Sequence, residues 1–134
     1  MPIVKRKPVP NYFLVGATWD GNSMYSSFIK KGIWRSGWGS NNDQYRNVLE
    51  SAKIGDRIAI KKGKGPGTSS IEIQAIGEIV DIDLEEEYCT FYVKWFRTGM
   101  KRLVDSKGCY KTIHGPYSRK CKTYGPWINE VFCL

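Results

Sequence analysis

The groups that could do covalent or acid–base chemistry in this chain are few and poorly spaced for it. There is one histidine, His114, in 134 residues, and no serine stands in the G-x-S-x-G turn that exposes a nucleophile. The cysteines Cys89, Cys109, Cys121 and Cys133 include no C-x-x-C pair, the spacing that lets two thiolates grip one zinc ion. Cys109, His114 and Cys121 could offer ligands, but at intervals that match no standard zinc pattern. The glycine-rich stretch Gly63-Lys64-Gly65-Pro66-Gly67-Thr68-Ser69 lacks a lysine directly after its last glycine, which a phosphate-cradling P-loop requires. Glu85, Glu86 and Glu87 read as a solvated acidic turn. A catalytic set, a metal and a cofactor are therefore not expected.

Binding chemistry is better represented. The chain carries five Trp, eight Tyr and five Phe. Several stand in Gly/Ser/Asn-rich stretches where no strand or helix periodicity calls for a core residue. Trp19 precedes Asp20, and Trp34 and Trp38 flank Arg35-Ser36-Gly37. An indole offers a planar face on which a base can stack, worth about 1–3 kcal/mol per base. A neighbouring carboxylate or hydroxyl, such as Asp20 or Ser36, can hydrogen-bond a base edge or simply cap a turn. Trp34 is read as a pocket wall rather than a core plug, Trp19 and Trp38 suit either role, and Trp95 alternates with core residues. The net charge of +8 favours a polyanionic partner. Candidate phosphate contacts are Lys61, Lys62 and Lys64, then Arg97, Lys101 and Arg102. Such cations attract phosphates without reading sequence, although a solvated loop has the same composition.

These residues need elements to position them. Tyr12-Phe13-Leu14-Val15-Gly16-Ala17 is a short apolar run and predicts a buried strand, broken by the turn residues Thr18-Trp19-Asp20-Gly21-Asn22. A helix is expected over 23–31, with Met24 and Phe28 on one face and Gly32 at its C-terminal end. A second is expected over 43–53, capped by Asn42 or Asp43 and burying Tyr45, Val48, Leu49 and Ala52. Further strands are predicted at Arg57–Lys61, Ile71–Ile82 with a bulge or bend at Gly77, and Tyr88–Phe96. Shorter ones are placed near Leu103-Val104 and from Tyr110 to Ile113, with a final strand or turn from Trp127 to Phe132.

The order of several segments resembles a known group. Tyr12 to Gly21, with its T-W-D-G, is similar to the first strand and loop of EVE-type domains found with modification-dependent restriction AAA+ proteins. Ser27 to Ser36 resembles the YTH segment in which a lysine-rich turn leads into Ile/Val-Trp-x-Ser, where that tryptophan is a wall of a methyladenine cage. Ile76-Gly77-Glu78-Ile79-Val80 resembles a strand pattern of PUA-like barrels. Tyr92 to Phe96 and Lys111 to His114 are similar to later elements of the same group. The resemblance covers residues 12 to 114, and residues 115 to 134 match nothing in it.

The resemblance implies an α+β fold of the PUA-like, EVE/YTH type: a bent β-barrel of about five or six strands flanked by short helices. A basic flexible arm is expected at 1–11, and a single domain at 12–134, monomeric in isolation. The implied function is non-enzymatic recognition of a modified, methylated base flipped into an aromatic pocket, in DNA or RNA. An AAA+ ATPase or GTPase and a nuclease are the implied partners. The alternative is a PUA/ASCH-like RNA-binding module with no modified-base specificity. A methyl-lysine cage is disfavoured by the positive charge. No apolar run approaches the length of a membrane span, and a cytoplasmic location is expected.

Overall fold

A computed structural model of the chain describes residues 9–37, 45–64, 68–84 and 88–134. At its centre β1 (Tyr12–Gly16) lies parallel to β5 (Arg57–Gly63), in register from Tyr12 opposite Arg57 to Gly16 opposite Lys61. A parallel pair needs a crossover. The intervening chain supplies a hairpin of β2 (Thr18–Trp19) and β3 (Asn22–Ser23), helix α1 (Tyr25–Lys31), strand β4 (Ile33–Arg35) and helix α2 (Arg46–Ser51). The chain continues through β6 (Ser70–Leu84), β7 (Cys89–Arg97), β8 (Arg102–Asp105), β9 (Ile113–Tyr117) and α3 (Gly125–Val131). The main sheet has seven strands in the order β4-β7-β6-β5-β1-β9, with β8 attached to β6. The 15-residue β6 is its spine: the first part lies between β5 and β8, and the last part pairs with β7.

This sheet is open, and the expected barrel is corrected accordingly. Strand β4 pairs with β7 and β9 with β1, so β4 and β9 are the two ends of the path and are not paired with each other. The physical reason lies in the side-chain alternation. Phe13, Val15, Ile58, Ile60 and Ile79 join one core with Phe28 of α1 and Leu49 of α2. Tyr12, Leu14, Ala59, Ile71, Ile73 and Ile76 join a second core with Trp127, Ile128 and Val131 of α3. A small barrel has one packed interior, whereas strands apolar on both sides need cover on both faces. The bend expected at Gly77 is present: register shifts between Ile76 and Gly77, and a Cβ there would stand 2.5 Å from Val93 Cγ1 and 2.8 Å from the Lys94 carbonyl oxygen. A bend in one strand does not bring two distant edges together.

Local signals were otherwise followed closely. Gly32 ends α1 in the left-handed region at φ 67°. Cys89, Phe91 and Val93 are buried while Tyr92 and Lys94 are exposed. The described part of the second helix is shorter than expected, and its candidate caps, Asn42 and Asp43, lie outside the described residues. The segment from Trp127 to Phe132 is mostly helix rather than the expected strand or turn. Pro126 sits in its first turn, where a missing N–H costs nothing, and Trp127 and Val131 fall four apart on the buried side. Residues 1–8 of the expected arm lie outside the described residues, and Asn11 is tied to the fold through its N–H to Asp56 Oδ1 at 3.0 Å. No helix among the described residues is long and apolar enough to cross a membrane.

Candidate functional site

The hairpin after β1 places the first candidate pair. Thr18 faces Ser23 and Trp19 faces Asn22, leaving Asp20 and Gly21 as a two-residue loop with φ of 48° and 79°. Positive φ at both central residues is the type I′ pattern, for which Asp-Gly is a favoured sequence. The turn holds Trp19 half-buried, its ring edge-on to Phe28 with centroids 6.0 Å apart. Gly37 lies against that ring: a Cβ there would be 3.8 Å from Nε1. The Trp19 indole N–H makes no hydrogen bond to a described residue. Trp19, Asp20, Thr18, Gly37 and Thr112 line a cleft of about 230 Å³. That is below the several hundred Å³ of a typical drug-sized site, and of a size for one planar heterocycle.

A second cleft, of about 180 Å³, shares Thr18 and Thr112 with the first and is lined by Lys61, Lys62 and Lys111. It lies at the C-terminal ends of the parallel strands, where β1 ends at Gly16 and β5 at Gly63. Lys61 is only 8% exposed, and burial pushes its ammonium down to about 8. It makes no hydrogen bond or ion pair with a described residue. Below it, on the side of the α3 core, stand Cys109 and His114. Burial raises the Cys109 thiol, whose Sγ lies 3.3 Å from the Tyr117 hydroxyl. A thiol held protonated is a poor nucleophile. His114 Nε2 accepts a hydrogen bond from the Lys111 N–H at 3.0 Å. Burial, then the charges of Lys61 and Lys111, push its pKa down to about 4. The imidazole is therefore neutral at pH 7, with its proton on Nδ1, and does not titrate near neutrality.

The remaining sequence candidates separate. Trp34 is 0% exposed, tilted against Phe91 at 5.3 Å, and its indole N–H donates to the Gly16 carbonyl at 2.9 Å. It lines neither cleft, but it holds Gly16, the strand end that lines the second. Ser36 is also buried: its N–H donates to the Cys89 carbonyl and its Oγ accepts from the Cys89 N–H, fastening β4 to β7. Trp38 lies outside the described residues. The Lys64 ammonium is paired with Glu72 at 3.2 Å. Arg97, Lys101 and Arg102 are exposed around the β7–β8 connection, and the Arg102 guanidinium donates to the Glu130 carbonyl. Trp95 donates its indole N–H to the Phe28 carbonyl.

Reading the residues in order did not single out Thr18, Gly37, Tyr110, Lys111 or Thr112 as a site. Tyr110, Lys111 and Thr112 reach it because β9 returns beside β1. One signal was available in advance: the Asp20-Gly21 pair is a hairpin signature, which places Trp19 on a rigid turn rather than in a loose loop.

A larger cavity, of about 340 Å³, lies at the opposite end of the parallel pair and is lined by Asn11, Lys53, Asp56, Arg57 and Glu78 among others. Asp56 accepts from the N–H groups of Asn11 and Lys53, and Arg57 pairs with Glu78 at 2.8 Å. The carboxylates of Asp56 and Glu78 are thus both engaged within the cavity wall. No family model matches the chain, and no curated protein is significantly similar to it.

Proposed function

We propose that the protein is a non-enzymatic nucleic-acid-binding module that stacks one extruded base in the Trp19 cleft and steadies the adjoining backbone on the lysines beside it. The observation that carries this reading is the juncture of the two clefts. Trp19, whose indole N–H has no hydrogen bond to a described residue, and Asp20 line one cleft, Lys61, Lys62 and Lys111 line the other, and Thr18 and Thr112 belong to both. Extruding a base costs a few kcal/mol, and stacking with phosphate contacts can repay it. The choice of a modified, methylated base rests on the likeness of residues 12–114 to EVE and YTH segments, and so does the association with an AAA+ ATPase or GTPase and a nuclease. A small cleft is suited to that choice, because one added methyl changes a large share of the contact.

The test is a titration of matched oligonucleotides, DNA and RNA, that differ only in methylation of one base. Trp19→Ala should lower affinity for the preferred strand by about tenfold to a hundredfold while the protein still melts cooperatively. Trp34→Ala should instead lower stability by about 3–5 kcal/mol, as removal of a fully buried indole does. Equal affinity for methylated and unmethylated strands would remove the modified-base reading. No affinity for any strand at low salt would remove nucleic acid altogether.

A further inference from the structure

A lysine this deep normally has a carboxylate or carbonyl partner, because an unpaired buried charge is costly. Lys61 has none among the described residues. Among those residues no side-chain nitrogen or oxygen is both sealed from solvent and without a hydrogen bond. The unpartnered Lys61 ammonium therefore keeps some exposure at the nitrogen, and the residue lines the cleft. Among the described residues no carboxylate lines that cleft: Lys62 and Lys111 add positive charge, and Thr18 and Thr112 add hydroxyl donors. The groups behind Lys61 cannot supply the missing anion. Cys109 is held protonated, and His114 is held neutral.

We infer that the Lys61 cleft is a binding subsite for one phosphoryl group of a nucleotide, with the Lys61 ammonium as its principal ligand and Lys62, Lys111 and the two threonines as its rim. This rests on the proposed function for the identity of the anion, but the subsite itself stands on the burial of a lysine without a partner among the described residues and on the lining of its cleft. Because the cleft shares Thr18 and Thr112 with the Trp19 cleft, the two together accommodate a nucleotide unit, base on one side and phosphate on the other. A free nucleotide and a nucleotide within a strand present the same chemistry here. A bound phosphoryl oxygen also completes what the fold leaves open, giving the ammonium a counter-charge and drawing its pKa back up toward the ordinary value.

The experiment is an amide NMR titration of the full chain near pH 7 and low salt with sodium phosphate, then adenosine 5′-monophosphate, adenosine, and a hexanucleotide lacking terminal phosphates. It is repeated on Lys61→Met, and on Lys53→Met as an equal loss of charge at the other cavity. Phosphate should shift Thr18, Lys62, Lys111 and Thr112 saturably. Lys61→Met should weaken it at least tenfold without lowering the melting temperature, and Lys53→Met should leave it within twofold. Loss of both monophosphate and hexanucleotide binding in Lys61→Met assigns the subsite to phosphodiesters as well as monoesters. Loss of the monophosphate alone assigns it to free nucleotides or strand ends. Monophosphate binding no tighter than phosphate, with Trp19 unmoved, upholds the subsite and removes the base reading. No saturable shift in the cleft, or equal phosphate affinity in Lys61→Met, overturns the inference.

Discussion

The parallel strands β1 and β5 have a buried charge near each end, and the two are treated in opposite ways. At the N-terminal end Asp56, 5% exposed, accepts from two backbone N–H groups at 2.9 and 3.0 Å, and the neighbouring Arg57 is paired with Glu78. At the C-terminal end Lys61, 8% exposed, has no hydrogen-bond or ion-pair partner among the described residues. A buried charge whose partners are built into the chain holds the fold together. One whose partners are missing weakens the fold and is suited to something that arrives from outside. The larger cavity is thus the structural one, and the smaller, unsatisfied cleft is the candidate site.

Three measurements would break or sharpen this contrast. Asp56→Ala has the largest expected effect. It removes the acceptor for both N–H groups, and hydrogen bonds to a charged group contribute about 1.5–3 kcal/mol each, so a loss of about 3–6 kcal/mol is expected on denaturant unfolding. Phosphate affinity of the protein that remains folded should not change. If the variant unfolds no more easily than wild type, Asp56 is not the fastening described here.

The second concerns pH. The Lys61 pKa stands at about 8 against an ordinary 10.5. Between those values the unfolded chain binds more protons at this site than the folded one, so stability rises with pH across that window. Below about pH 8 the full burial penalty is present, at most about 3 kcal/mol. The raised Cys109 thiol acts in the opposite sense at alkaline pH, so the informative quantity is wild type minus Lys61→Met. That difference should show Lys61→Met as the more stable protein at pH 7, with the gap closing toward pH 10. Phosphate affinity of the wild type should fall over the same window, as the ammonium loses its proton. A Lys61→Met variant that is less stable at pH 7 would mean the lysine is fastened after all.

The smallest effect is expected at Lys64. Its ammonium is partly exposed and paired with Glu72, which it holds below the usual carboxylate range. Exposed pairs contribute about 0–1 kcal/mol. Lys64→Met should therefore shift thermal unfolding barely, and it should weaken strand binding far less than Lys61→Met does. A larger loss of strand binding would bring the β5–β6 turn into the interface.

The sequence by itself determined what is local. The apolar run of β1, the alternation in β7, the glycine that ends α1 and the glycine bend in β6 were all legible, because side-chain period and backbone sterics act within a few residues. Trp19 and Asp20 were named as a pair and stand together for the same reason, on a two-residue turn that Asp-Gly specifies. Three further decisions were made only by the tertiary structure. Whether the sheet closes depends on which edges meet, and β4 and β9 stay apart. Whether Trp34 or Trp19 meets solvent depends on what covers it, since an indole is equally suited to a core and to a cleft. Lys61 reads as the start of a basic loop, yet the return of β9 beside β1 and the α3 core behind it turn it into a buried cation with no partner among the described residues. Burial is set by every element that packs over a residue, and no spacing within one strand carries that information.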